Sequence, residues 1–298
     1  MQQVELASGV FQLQGGSNIS LVVRDGQGLL IDTGQDRDAA RKALRAAEEL
    51  GVVLRALFLT HAHADHFGGA NFLQRRIQVH TCAPTLEAAM MEHPIIEPLY
   101  LFGGAAPISE LRSRFTLAEP CRVDCTIAKS GPLEVGPFAV DIVSLPGHAP
   151  NQMGLAVDGV LFCADALFPA ETLEKHKLTF CVDMDETLAT LARLPELDYN
   201  CFAPGHGPAY QAGAEIAAAC AANKTRLEEI RGLLHERLTE AQETEALLRY
   251  VADHYGLRLA TATSYFLTRA TVLAALSSLE RAGEAVVVVE NNRLIWKR

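Results

Sequence analysis

The sequence has few aromatic residues, no long apolar run and no excess of basic residues. Aromatic residues make up 6% of the 298 residues, with a single Trp. No run of ~18 uncharged apolar residues occurs, so we expect no membrane-spanning helix, and residues 1–15 lack the pattern of a signal peptide. Because 49% of the residues are hydrophobic and 21% are charged, collagen-like, coiled-coil and disordered chains are excluded and a large folded core is expected.

The cysteines give no sign of a disulfide framework. There are seven, an odd number, and they are scattered along the chain with no C-x-x-C pair. We therefore expect reduced thiols and a cytoplasmic location.

The net charge of −10 is unevenly distributed. Residues 216–298 contain 11 Lys and Arg against 10 Asp and Glu, so the preceding part of the chain carries a charge of −11. An acidic main part disfavours nucleic acid as a partner, although bound metal ions would change the local field.

Short β-forming runs and helical patterns alternate through about the first 210 residues, which predicts an α/β fold. We predict strands at 19–23, 29–32, 52–59, 77–81, 138–144, 153–157, 160–163 and 199–203, and helices at 36–50 and 185–194. Segment 87–115 differs, because it is apolar and interrupted by Pro and Gly. Either it packs on its own domain, or residues 95–102 within it border the active-site entrance or a dimer contact, with Tyr100 as a candidate substrate contact.

The chain changes character after Gly213. We predict a long helix at 214–238, a second helix that opens at a capping box in Thr239–Gln242 and ends near Tyr255, and a third helix at 264–282. Two strands at 285–289 and 293–296 follow, which is the order of a winged-helix domain. We therefore expect a catalytic domain at 1–213 and a winged-helix domain at 214–298. The few basic residues of the latter favour packing on the catalytic domain over binding of DNA.

The most informative segment is Thr60-His61-Ala62-His63-Ala64-Asp65-His66, directly after a buried strand. Three imidazoles and one carboxylate at this density are typical of transition-metal ligands. Three further candidates, His148, Asp165 and His206, also come just after predicted strands. Strand ends meet along one edge of a sheet, so all these side chains can converge there.

The motif His61-x-His63-x-Asp65-His66, followed by Gly147-His148, Asp165 and Gly205-His206, resembles the metallo-β-lactamase superfamily. The resemblance implies an αβ/βα sandwich with two divalent transition-metal ions, zinc in the first place and iron or manganese as alternatives. By the same resemblance, the first ion is bound by His61, His63 and His148, the second by Asp65, His66 and His206, and Asp165 bridges them. Asp32 matches an aspartate that supports the metal-binding loop in this family.

The predicted winged helix makes the chain similar to the β-lactamase-like protein 2 branch, which includes hydrolases and single-strand-specific endoribonucleases. Zinc β-lactamases use a cysteine ligand at the second site, whereas Asp165 stands at the bridging position here, which disfavours β-lactam turnover. Glyoxalase II shares the metal set but binds glutathione through a helical C-terminal domain, which the winged helix replaces here.

These observations predict a dinuclear metal-dependent hydrolase that attacks an ester, thioester or related acyl bond of a small molecule with a metal-bridging hydroxide. Asp65 would orient the hydroxide, and His176 is a second candidate substrate contact. The alternatives are a metal-dependent endoribonuclease or phosphodiesterase, and a DNA-binding regulator with a metal-sensing domain. A homodimer is possible, and no membrane partner is expected.

Overall fold

The computed structural model describes residues 1–298, and two facing β-sheets form its centre. The first sheet has seven strands that follow one another in chain order. They are β1 (Gln2–Ala7), β2 (Val10–Gln14), β3 (Ile19–Arg24), β4 (Gln27–Ile31), β5 (Val53–Phe58), β6 (His80–Pro84) and β7 (Cys125–Ile127). The first four are antiparallel, and β4 to β7 are parallel, so the carboxyl ends of β4, β5 and β6 lie at one edge.

The second sheet has six strands. They are β8 (Gly131–Val135), β9 (Phe138–Ser144), β10 (Met153–Val157), β11 (Val160–Ala164), β12 (Cys201–Pro204) and β13 (Tyr210–Gln211). The strands lie in the order β13-β12-β11-β10-β9-β8, with β11 and β12 parallel and the other neighbours antiparallel.

Helices cover the outer faces of both sheets. They are α1 (Arg37–Glu49), α2 (Ala64–Phe67), α3 (Ala70–Gln74), α4 (Thr85–Glu92), α5 (Ile96–Leu101), α6 (Ala170–His176), α7 (Met184–Arg193), α8 (Ala214–Arg237), α9 (Thr244–His254) and α10 (Ala262–Arg281). A third sheet of β14 (Gln242–Glu243), β15 (Val286–Glu290) and β16 (Arg293–Lys297) lies in the C-terminal part, with β16 in its centre. None of the helices is both long enough and apolar enough to cross a membrane.

Three apolar clusters divide this architecture into four layers. One cluster lies between the sheets, one packs α1, α3 and α4 on the first sheet, and one packs the later helices on the second. The predicted αβ/βα sandwich is therefore confirmed. It follows from strands such as β11, whose five residues are all buried because the sheet is covered on both faces.

The C-terminal elements occur in the predicted winged-helix order, with one correction. Thr239–Gln242 is not a capping box, because Gln242 and Glu243 pair with Trp296 and Ile295 in the third sheet and α9 begins only at Thr244. The capping box of this region lies instead at Thr261, whose side chain and backbone exchange hydrogen bonds with Ser264. Assignment of residues 214–298 to the winged-helix class, and the boundary at 213, stay predictions.

The third C-terminal helix, α10, is docked on the rest of the chain. Arg281 forms ion pairs with Asp183, which caps α7, and with Asp185 in its first turn, and Ser278 donates a hydrogen bond to Asp185. Thr271 donates to the carbonyl of Thr179 at 3.2 Å. One apolar cluster runs from the second sheet through α8 and α9 to Trp296, so the two predicted domains share a core.

Helix α5, within the predicted 95–102 segment, contacts this same helix. The ring of Phe102 packs edge to face on Phe266 of α10, with 5.3 Å between the ring centroids. Glu110 accepts a hydrogen bond from the backbone of Ala262 at 2.8 Å. The apolar insertion therefore joins the first sheet to the C-terminal helices.

Candidate metal centre

The histidine motif forms a loop that leaves β5 and enters α2. Asp32, at the end of the neighbouring strand β4, holds this loop: its carboxylate accepts hydrogen bonds from the backbone and the hydroxyl of Thr60, both at 2.9 Å. The second oxygen also lies 2.9 Å from Nδ1 of His66. Asp32 is buried and has a positive φ of 60°, and its hydrogen bonds tie the end of β4 to the loop of the histidine motif.

Each of four imidazoles has Nδ1 in a hydrogen bond and the other nitrogen directed to a common centre. His148 donates to the carbonyl of Phe180 at 2.8 Å, and His206 donates to that of Gly16 at 2.7 Å. His61 lies 3.0 Å from the hydroxyl of Thr60, and His66 uses the carboxylate described above. Such partners fix the ring orientation and the tautomer of metal-ligating histidines.

The side chains fall into overlapping groups whose potential ligand atoms lie within 4.8 Å of one another. These groups are His61, His63 and His148; His61, His66 and Asp165; and Asp65, His66 and His206. Asp165 lies centrally, with its carboxylate oxygens 3.3 Å from His66 Nε2, 3.5 Å from His148 Nε2 and 3.4 Å from His206 Nε2. The structure therefore brings all seven predicted ligands together.

Three atoms in this cluster are buried without a hydrogen-bond partner: His61 Nε2, His66 Nε2 and Asp165 Oδ1. A buried polar atom without a partner costs about 1–3 kcal/mol, and orphaned atoms rarely gather by chance. Their arrangement around one centre fits a transition metal, which takes imidazole nitrogen and carboxylate oxygen as ligands.

The electrostatics differ across the cluster. Burial opposes protonation of His66 and His206, but Asp165 outweighs it and raises the pKa of both rings, so a bound ion would have to displace their protons. Burial and the neighbouring imidazoles lower the pKa of His61 well below its usual range, and burial with His148 lowers the pKa of His63 to about 3. These rings are therefore neutral and can donate a lone pair. Burial opposes ionisation of Asp165, but His206 and His66 outweigh it and hold the pKa of Asp165 well below its usual value.

Two glycines of the motif leave room for the cluster. A Cβ on Gly205 would collide with the carboxylate of Asp165 and with the ring of His66. Gly147 has a φ of +123° and lies against the backbone of Thr187, where a side chain would not fit. Glycine is therefore required before both histidines. Neighbouring atoms lie too close for a Cβ at either position, and Gly147 also has a positive φ.

A cavity of about 980 Å³ opens over the cluster, and its wall comes from both halves of the chain. Phe168 and Phe180 pack against ligand rings, with centroid distances of 5.5 Å and 5.7 Å to His148. The C-terminal part adds Leu257, Leu259 and Leu267. Neither the aromatic residues nor these leucines could be assigned to the site from sequence, since nothing in their spacing points to the histidines.

The two predicted substrate contacts have different surroundings. His176 lines the cavity, together with the exposed Lys175 and Arg258. Tyr100 is not among the lining residues: it packs on the apolar cluster of the first sheet, and Glu97 of the same helix faces the cavity instead. The structure thus brings His176, but not Tyr100, to the cavity.

Sequence reasoning missed Glu87, a fully buried residue of α4. One of its oxygens accepts from the backbone N–H of Ala62 at 2.9 Å, and the other from that of Asn151 at 2.8 Å. Glu87 therefore ties the loop of His61 and His63 to the loop of His148. An acidic residue beside the apolar Ala88, Met90 and Met91 was the available signal, and Glu92 at the other end of the same helix presents the same pattern although it is exposed.

An αβ/βα sandwich with a His/Asp cluster at one edge defines a class of metal-dependent hydrolases. Residues 13–206 match the family described as the Metallo-beta-lactamase superfamily, to which the chain belongs. A hydroxyacylglutathione hydrolase from Xanthomonas euvesicatoria is 28% identical over 224 residues, which cover 75% of this chain and 70% of the relative. The chain is a metal-dependent hydrolase of this superfamily.

Two solved structures extend the likeness in fold over the whole chain. A beta-lactamase domain protein from Burkholderia ambifaria has a TM-score of 0.78 at 18% identity, over 100% of this chain and 93% of its own. A metallo-beta-lactamase family protein from Thermus thermophilus has a TM-score of 0.76 at 20% identity, over 99% of this chain and 100% of its own. Both matches include the C-terminal helices, so these belong to a shared fold.

Proposed function

We propose that the chain is a dinuclear hydrolase of thioesters or closely related esters of small molecules. The observation that carries the proposal is the cavity of about 980 Å³, which brings five of the seven candidate ligands together with apolar wall residues and exposed cations. A thioester joins an apolar acyl group to a polar, often anionic, carrier. The apolar walls of the cavity suit the acyl group, and its exposed cations suit the carrier. The relative named hydroxyacylglutathione hydrolase supports the same bond type.

Seven nitrogen and oxygen donors suit two partly open sites. His61, His63 and His148 would hold one ion, Asp65, His66 and His206 the other, and Asp165 both. When bound, such ions, zinc in the first place, acidify water and polarise a carbonyl oxygen.

The remaining steps fall to the chain's own residues. Asp65 is positioned by a hydrogen bond from the hydroxyl of Ser17 at 3.1 Å, so one carboxylate oxygen has a fixed direction and can orient the attacking water. Phe168 and Phe180 shield the reacting centre from bulk water. Lys175 and Arg258 would attract an anionic carrier.

Nucleic acid is a weaker candidate substrate. The part of the chain before residue 216 carries a charge of −11. Helix α10, the recognition helix if the C-terminal part is a winged helix, uses Arg281 and Ser278 to contact the α7 region. A regulator that binds DNA through this helix would need these groups free for phosphates.

The test is a substrate panel of thioesters, esters, lactones, phosphodiesters and single-stranded RNA, assayed with zinc-loaded and metal-depleted protein. We expect the highest kcat/KM on thioesters, and its loss on metal depletion. Arg258→Ala should raise KM for anionic thioesters, and Arg249→Ala, exposed on α9, serves as the control. Faster cleavage of RNA or phosphodiesters than of any acyl substrate would refute the proposal.

A further inference from the structure

A second cluster of metal-ligating side chains lies away from the active site. His80, Cys82 and Cys125 have ligand atoms within 4.8 Å of one another. His80 begins β6, at the end of the strand opposite to the loops that carry the histidine motif. None of these three residues contributes to the cavity over that motif.

The backbone fixes this cluster without help from a ligand. Cys82 and Cys125 are register partners in the parallel strands β6 and β7, so their side chains lie side by side on one face. His80 is two residues before Cys82 and therefore points to the same face. Asp124 secures the register, because it exchanges backbone and side-chain hydrogen bonds with Thr81 at 2.8 Å and 2.9 Å.

We propose that His80, Cys82 and Cys125 form a site for a thiophilic divalent cation of the zinc type, separate from the catalytic centre. Two sulfurs and one imidazole nitrogen are a ligand set that such ions prefer. Tetrahedral zinc with Zn–S bonds of ~2.3 Å sets its ligand atoms ~3.8 Å apart, which lies within the spacing found here. Small rotations of the three side chains would therefore bring their ligand atoms to the spacing that tetrahedral zinc requires.

Binding of a divalent ion would require loss of protons from a partly buried cluster. Cys82 is fully buried and Cys125 partly buried, while His80 is exposed, so the cluster runs from the core to the surface. Burial and the neighbouring Cys125 raise the pKa of Cys82, so the thiol is protonated without metal. Binding replaces two thiol protons, which pass to solvent, by one divalent cation and leaves a neutral assembly.

The surface next to His80 provides access. A cavity of about 470 Å³, lined by His80, Gln78, Arg122 and Asp124 among others, opens there. Arg122 and Asp124 pair with each other at 2.6 Å, so the positive charge of Arg122 beside the site is compensated. The fourth coordination position would face this cavity and take water.

Cobalt(II) distinguishes this site from the catalytic one. The catalytic candidates are only histidines and aspartates, so they cannot give a thiolate-to-metal charge-transfer band. We expect this band when reduced, metal-depleted protein is titrated with cobalt. Cys125→Ala should abolish it and lower the cobalt stoichiometry by one equivalent, whereas Cys121→Ala, which removes a buried thiol outside the cluster, should leave both unchanged. His80→Ala should weaken cobalt binding at least tenfold.

Three outcomes would overturn the proposal. One is the absence of the band in protein that circular dichroism shows to be folded. Another is a band that persists in Cys125→Ala. The third is a count of five free thiols in the purified, denatured chain instead of the seven cysteines, with Cys82 and Cys125 joined, which would make the pair a disulfide. Hydrolysis is measured in parallel and is expected to be the same for Cys125→Ala and the parent. Loss of the cobalt band alone therefore tests this site, whereas absence of hydrolysis in both proteins would count only against the proposed function.

Discussion

Glu87 offers a direct test of how the catalytic loops are held. Its two carboxylate oxygens accept backbone hydrogen bonds from Ala62 and Asn151, one in each ligand-bearing loop. In Glu87→Gln the amide oxygen can keep one of these bonds, but the NH₂ group faces the other N–H and cannot accept from it. One buried N–H is left without a partner, at a cost of about 1–3 kcal/mol.

The lost hydrogen bond weakens the connection between the two loops that carry the metal ligands, so it should lower metal affinity. Loss of a group that orients metal ligands lowers metal affinity about 10- to 100-fold, which is ~1.4–2.7 kcal/mol and agrees with the cost of the lost hydrogen bond. We therefore expect Glu87→Gln to bind zinc 10- to 100-fold more weakly in competition with a chromophoric chelator. Glu87→Asp should lose affinity as well, because the shorter side chain cannot span both loops.

The control is Glu92→Gln, which removes a carboxylate from an exposed position of the same helix α4. It should bind zinc like the parent. If Glu87→Gln is folded by circular dichroism and also binds zinc with parental affinity, the two loops do not depend on this carboxylate and the reasoning is wrong.

The same geometry supports four further predictions. Asp165→Ala should lose more activity and more metal than His176→Ala, because only Asp165 approaches both groups of ligands; equal losses with full metal content in both would contradict this. In metal-free protein, burial raises the pKa of Glu87 from 4.5 to about 7, so the folded state keeps a proton that the unfolded chain releases. Stability should therefore fall by up to about 3 kcal/mol relative to Glu87→Gln as pH rises across this range in urea unfolding, and a constant difference would refute it. Phe102→Ala should destabilise the chain by about 1–3 kcal/mol in the same assay through loss of its aromatic contact with α10, whereas parental stability would show that the contact is not needed. The full chain should show no sequence-selective duplex binding at physiological salt, because residues 214–298 present a helix already docked on the catalytic part; submicromolar selective binding in a fluorescence titration would favour the regulator.

The sandwich and the ligand set could be predicted because their signals are local. Within one short segment, the apolar run before Thr60 predicts a buried strand, and the three histidines after it predict metal ligands. The strand at Phe138–Ser144 and the helix from Ala214 begin at the predicted residues because periodicity and turn residues agree there. Strand β6 begins at His80 instead of at residue 77, because the backbone N–H of Ile77 still bonds to the carbonyl of Leu73 at the end of α3.

The features that the sequence did not reveal depend on contacts between distant residues. Strand β1 is stabilised by pairing with β2, which in turn pairs with β3, although the polar Gln2 and Gln3 give no strand signal of their own. The position of Phe180 over His63 arises only when the chain after α6 folds back. The spacing of Thr239 and Gln242 matches the capping-box pattern, but Gln242 pairs with the distant Trp296 in the third sheet instead of opening a helix.

The wall of the cavity has a consequence for the order in which the protein is made. All the candidate ligands precede residue 207, whereas Leu257, Leu259 and Leu267 are synthesised later. The strands that carry Asp165 and His206 also share one apolar core with these later helices, so their packing is completed only after the last helices have been made. A chain truncated before α10 would therefore leave part of this core exposed as well as one side of the cavity open.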